Sequence, residues 1–155
     1  MKTLRLVLGD QLSRDLPSLT DIDKDQDIVL MAEVMAEVTY VKHHKRKIAF
    51  LFSAMRHFAN ALADDGIRVR YRRLDDPENA GSLAKEVAAA IAEFAPDRIV
   101  VTAAGEYRLA DEMAGWQARF GLPVEIRTDT RFLCGLDEFA KWADGRKSLR
   151  MEFFY

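Results

Sequence analysis

The 155-residue sequence predicts an α/β domain on a five-stranded, doubly wound parallel sheet with strand order 3-2-1-4-5. Short apolar runs alternate with helical periodicity in the order β, short α, β, α, β, α, β, α, β, and right-handed crossovers restrict how such a pattern threads. Leu4 to Leu8, Ile28 to Met31 and Arg98 to Thr102 are near-continuous apolar runs, as strands buried on both faces are, and belong in the middle of the sheet. Ile67 to Tyr71 alternates apolar residues with Arg68, Arg70 and Arg72, which gives it one wet face and an edge position. Such a sheet is Rossmann-like.

The elements follow in order. Gly9 and Asp10 break the first strand, and Leu12 to Leu16 is a short helical segment that cannot run far before Pro17. Thr20 to Asp27 is polar and forms a solvated connection to the second strand. Glu33 and Glu37 then bracket an irregular segment that ends at Thr39 and Tyr40, followed by a basic loop from Lys42 to Lys47. A long helix from Ile48 to about Asp64 places Leu51, Phe52, Met55, Ala59 and Leu62 on one face, and Gly66 stops it. Ser82 to Phe94 is alanine-rich and turns Leu83, Val87, Ile91 and Phe94 inward until Pro96. Gly105 and Glu106 open a helix that carries Leu109, Met113, Trp116 and Phe120 and closes at Gly121. Val124 to Arg127 is the last strand. From Phe132 a helical tail presents Phe139, Trp142 and Ala143 for packing on the domain.

Composition excludes several classes. An apolar content of 49% with 31% charged residues is that of an ordinary folded domain with one core. A net charge of -2 argues against binding nucleic acid through bulk electrostatics. The single Cys134 rules out an internal disulfide framework and a cysteine-based zinc site. The chain opens on a strand-like MKTLRLVLGD rather than a signal peptide, and no run approaches the roughly 20 apolar residues of a membrane span, so a cytoplasmic location is expected.

With this strand order the topological switch point falls between strands one and four, where open α/β sheets bind ligands. Gly9, Asp10 and Gln11 meet Ala104, Gly105 and Glu106 there, with the Glu33 to Tyr40 segment alongside, so the crevice is expected to be acidic and glycine-lined. Neither G-x-G-x-x-G nor G-x-x-x-x-G-K-[ST] is present, and an acidic rim repels phosphate. Asp10, Glu37 and Glu106 suit a neutral polar heterocycle, because carboxylates accept hydrogen bonds from hydroxyls and ring N–H groups. His43, His44 and His57 have no metal-ligand spacing, and Ser53 and Cys134 have no adjacent base, so no metal site and no nucleophile are assigned.

Five blocks carry a family resemblance: LGDQLS at 8–13, EVTYVKHHKRKIAFLFSAMRHFA at 37–59, VRYRRLDD at 69–76, GEYR at 105–108 and the closing GRKSLRMEFFY. Together they resemble the amino-terminal domain of the bacterial photolyases and cryptochromes that contain an iron-sulfur cluster. The resemblance implies an antenna domain over residues 1–145 that binds 6,7-dimethyl-8-ribityllumazine, with 146–155 starting a linker to a helical domain. That second domain, absent here, would hold FAD and the cluster and repair damaged DNA. Gly9, Asp10, Glu37, Tyr40, Gly105 and Glu106 stand where the family builds its lumazine pocket, and Ala32 and Leu51 where it shapes the apolar wall. A stand-alone nucleotide- or metabolite-binding module and a structural module that docks a helical partner remain alternatives. Leu149, Met151, Phe153, Phe154 and Tyr155 are expected either to fray or to bury themselves against a second copy as a homodimer.

Overall fold

The computed structural model describes residues 1–154; Tyr155, counted above among the terminal aromatics, lies outside the described residues. Its sheet has the order β3-β2-β1-β4-β5 and every pairing is parallel. The strands are β1 (Thr3–Leu6), β2 (Ile28–Ala32), β3 (Val69–Arg72), β4 (Arg98–Thr102) and β5 (Val124–Arg127). β1 and β2 are buried at every position, and β4 at all but Arg98, so the near-continuous apolar runs occupy the centre as their composition dictates. β1 is two residues shorter at its C-terminal end than the apolar run, because the ladder to β2 and β4 ends at Leu6.

Each face of the sheet has its own core. Leu4, Leu6, Leu30, Ile99 and Val101 pack against α3 (Leu83–Phe94), α4 (Tyr107–Ala114) and α5 (Trp116–Phe120), with Trp116 fully buried. Gly115 divides α4 from α5, so the predicted single helix is two, and Gly121 closes the second in the left-handed conformation with φ +65°. On the other face Val29 and Met31 pack against Phe52, Met55, Ala59 and Leu62 of α2 (Lys45–Asp64).

The segment between β1 and β2 differs from its expected form. Leu12 to Leu16 is not helical; residues 14 to 26 run through a series of turns, with Leu16 and Leu19 tucked beneath α2. The i, i+4 spacing of Leu12 and Leu16 imitates a helix, while Pro17 removes the N–H that would continue one. A covering layer made of turns has backbone carbonyls with no helical partner. The buried Arg5 of β1 supplies donors: its Nη1 reaches the carbonyls of Ser18 at 2.8 Å and Thr20 at 3.0 Å, and its Nε reaches Asp27 at 2.8 Å. Arg127 of β5 adds a bond to the Pro17 carbonyl at 2.8 Å and pairs with Asp21. The Thr20 to Asp27 connection is therefore anchored from the sheet, and Asp27 is buried rather than solvated.

Two further segments are more regular than expected. Met35–Thr39 forms a short helix, α1, and α2 begins at Lys45, inside the basic run. His44 caps α2 by accepting the Arg46 N–H on Nδ1 at 3.2 Å. The arginine face of β3 is not wet either. Arg70 pairs with the buried Glu86 at 2.9 Å and with Glu93 at 2.7 Å, and Arg72 pairs with Asp76 and Glu78, so α3 and the following loop neutralise the edge strand.

The tail forms α6 (Leu136–Ala143), but no residue of it is buried and Phe139 and Trp142 join neither core. Instead Phe154 folds back on both rings, with centroids 5.6 Å from Phe139 and 4.9 Å from Trp142. The Trp142 indole N–H donates to the Phe153 carbonyl at 3.0 Å. The tail aromatics thus pack on one another, while on the edge strand β5 Glu125 and Arg127 pair at 2.7 Å.

Candidate functional site

The loops after β1 and β4 meet at the carboxyl edge of the sheet, and Gln11 ties them together. Its Nε2 donates to the carbonyls of Thr102 at 3.3 Å and Ala103 at 3.1 Å, across the switch point. Gly9 lets α2 close in on this loop: a Cβ there would lie 3.1 Å from Met55 Sδ and 3.5 Å from a Leu51 methyl, tighter than an ordinary contact on the sulfur side. At Gly105 an added Cβ would meet only Asp10 Oδ2 at 3.9 Å, so sterics do not require glycine at that position.

Between these loops, α1 and the first half of α2 lies a cavity of about 320 Å³, within the range of small-molecule sites. The structure brings all eight predicted site residues to it: Gly9, Asp10, Ala32, Glu37, Tyr40, Leu51, Gly105 and Glu106 all line the space. Its floor is apolar, built by Val34, Phe52, Met55, Leu83 and Leu109 beside Ala32 and Leu51. His43 and Lys47 also reach the wall, from the loop before α2 and from its first turn. They escaped sequence reading because the basic run from Lys42 to Lys47 reads as a solvated loop, whereas α2 starts at Lys45 and its first turn carries Lys47 to the wall. Glu33, which the sequence places with Glu37 near the crevice, does not line the cavity; it is buried against Arg56, Tyr71 and the Leu74 N–H.

The rim is not the bare acidic edge that the sequence predicts. Arg108, from the first turn of α4, donates to both oxygens of Glu37 at 3.2 and 2.6 Å and to both oxygens of Glu106 at 3.0 and 3.1 Å. Its guanidinium lies 4.6 Å above the centre of the Tyr40 ring, and Tyr40 meets His43 edge-on at 5.5 Å. The hydrogen bond to Glu37, against a smaller opposing effect of burial and joined by Glu106, holds the guanidinium well above its ordinary range and permanently charged. Asp10 is exposed, and its backbone carbonyl accepts from Arg131 Nη1 at 2.7 Å, which brings the loop after β5 to the mouth.

A parallel α/β sheet in the order 3-2-1-4-5, with a largely apolar cavity at its switch point, defines a Rossmann-like domain of the doubly wound class. The chain belongs to the family described as deoxyribodipyrimidine photo-lyase-related protein, which matches residues 5–155. It is 56% identical to a (6-4) photolyase of Agrobacterium fabrum (strain C58 / ATCC 33970) over 155 residues, which are 100% of this chain and 31% of that relative. The chain thus spans about a third of the length of the curated relative it matches. Among the described residues no helix is long and apolar enough to cross a membrane.

Proposed function

We propose that this domain holds a light-absorbing ribityl heterocycle, 6,7-dimethyl-8-ribityllumazine, and serves as the antenna of a photolyase-like flavoprotein. The observation that carries the reading is the cavity itself: apolar walls for a flat ring system, with Asp10, Glu37 and Glu106 as acceptors at the rim for hydroxyls and ring N–H groups. The residues present fit such a group in size and in donor–acceptor sense. The heterocycle supplies absorption of blue or near-ultraviolet light. The protein's own residues bind and orient it and keep water from its faces: Leu51, Phe52 and Met55 from one side, Leu83 and Leu109 from the other. Transfer of excitation to FAD, the iron-sulfur cluster and action on damaged DNA belong, in this reading, to the rest of a longer cytoplasmic protein.

The test is a titration of the purified domain with 6,7-dimethyl-8-ribityllumazine and with ATP, followed by fluorescence, together with an absorption spectrum of the protein as isolated. The expected result is saturable lumazine binding and much weaker ATP binding. Tighter binding of ATP would overturn the reading and favour a nucleotide-binding module without photochemistry.

A further inference from the structure

We propose that Arg108 is a positioning residue that sets what the cavity recognises, by holding the Glu37 and Glu106 carboxylates as a fixed pair of acceptors on its two lips. The inference rests on the ribityl-heterocycle reading and deepens it. Arg108 does not itself line the cavity, but the three residues it engages, Glu37, Glu106 and Tyr40, all do. Glu37 sits on α1 and Glu106 just before the first residue of α4, and 71 positions separate Glu37 from Arg108 in the chain, so the guanidinium joins two elements that share no strand pairing.

α1 needs such a tie. It is five residues long, has no buried residue and no side-chain N-cap bond, so little intrinsic helical stability holds it in place. Across the crevice its side-chain anchor is the fork from Arg108 to Glu37. The same arrangement decides ligand class. A guanidinium has five N–H donors in a planar fork, and here Nε, Nη1 and Nη2 are all engaged with carboxylate oxygens. Four of the five donors are turned to the protein's own anions, so this arginine has little left to offer a ligand phosphate. What Glu37 and Glu106 still offer a ligand are carboxylate lone pairs, which take hydroxyl and N–H donors, while His43 and Lys47 stand on the wall nearby. The paired acceptors therefore favour a donor-rich polyol or heterocycle at these two lips.

The experiment has a ligand-free arm and a binding arm. In the ligand-free protein, Arg108→Met is expected to raise the hydrogen-exchange rates of the α1 amides at least tenfold while those of α2 and the central strands hold. Uniform acceleration or none overturns the positioning role, whatever the ligand is. In the binding arm, Arg108→Met is expected to weaken lumazine roughly 10- to 100-fold, the effect of losing charge-assisted hydrogen bonds. In a Glu37→Gln background the same substitution is expected to cost only a few-fold, because the arginine acts through that carboxylate. Arg108→Lys, which keeps the charge but loses the fork, is expected to recover part of the affinity and covers the case in which Arg108→Met does not fold. Equal losses in both backgrounds, or wild-type affinity in a folded Arg108→Lys or Arg108→Met, overturn the inference. Failure of the wild-type protein to bind lumazine refutes the ligand reading and the selectivity drawn from it, while the exchange arm judges the tie separately.

Discussion

Glu33, at the end of β2, and Arg56, on α2, form a two-pronged ion pair, Nε to Oε1 at 2.5 Å and Nη2 to Oε2 at 2.8 Å, with the carboxylate wholly buried. The Tyr71 hydroxyl donates to the same carboxylate at 2.7 Å and the Leu74 N–H at 2.9 Å. One side chain therefore locks α2, β3 and the loop after it to the sheet edge beside the cavity, without entering the cavity.

Arg56→Met should be strongly destabilising. It strands a buried carboxylate whose remaining donors are neutral, at a cost of about 3 kcal/mol. Urea denaturation at neutral pH measures it; a loss under half that size would mean that water already solvates Glu33.

Acid should act through the same group. Burial, the largest single influence, pushes the Glu33 carboxyl up, but the bonds from Arg56, Leu74 and Tyr71 together outweigh it and leave the carboxyl below its ordinary value. A carboxyl depressed in the folded state stabilises the fold above the unfolded value, about 4.3, and that contribution is lost as pH falls through the folded value. Stability should fall from about pH 4 downward. The fall should be shallower in Arg56→Met, as denaturation midpoints at pH 7, 4 and 3 would reveal.

Arg5→Met should be more damaging than any surface substitution. The side chain is 1% exposed and bonds to the Asp27 and Asp21 carboxylates and to three carbonyls of the turn segment, those of Ser18, Thr20 and Asp21, all of which would lose a donor together. A loss of about 3–5 kcal/mol is expected, with the turn segment of residues 12–27 becoming protease-sensitive first. Limited proteolysis with mass mapping checks the order of events.

Leu51→Trp should fill the cavity and leave the fold standing. Leu51 lines the open space rather than a closed core, so the cost should be near 1 kcal/mol, the low end for added bulk. Lumazine affinity should fall beyond measurement while circular dichroism is unchanged; retained affinity would put the ligand elsewhere.

The tail carries a prediction about self-association. Leu133 and Leu136 are highly exposed just before and at the start of α6, and Met151 and Phe153 are 69% and 64% exposed near the end of the chain. We propose that in the isolated chain this surface pairs with a second copy. Light scattering over a dilution series should show a dimer that Leu136→Glu with Met151→Glu abolishes at unchanged melting temperature. A monomer at the highest concentration would count against it.

The sheet was legible because burial on two faces leaves a compositional mark: Val29, Leu30 and Met31 in sequence need no partner to be recognised as central. Strand order alone placed Gly9, Asp10, Glu37, Gly105 and Glu106 at the switch point, whereas Tyr40, Ala32 and Leu51 followed only from the family resemblance. Arg108 was not legible, because its meaning lies in Glu37 and Tyr40, remote in sequence and brought near only by the fold. Leu12 and Leu16 misled for the opposite reason. Their spacing is helical, yet what covers that face is decided by Arg5, whose burial no local pattern announces. On β3, alternating arginines imply solvent unless a carboxylate such as Glu86 happens to face them from the next helix.

The central position of β1 has a consequence for the order in which the protein can be made. Thr3 to Leu6 leave the ribosome before the other strands of the sheet, but β1 pairs with β2 on one side and on the other with β4, whose partner residues are Arg98 to Val101. Until β4 has been synthesised, a nascent β1–β2–β3 sheet has an open apolar edge along its earliest strand, and the face destined for α3, α4 and α5 is only partly covered. Long-range parallel pairing of this kind is slow and leaves the growing chain open to mispairing. The amino-terminal half should therefore depend on chaperones during translation to a degree that the finished domain does not.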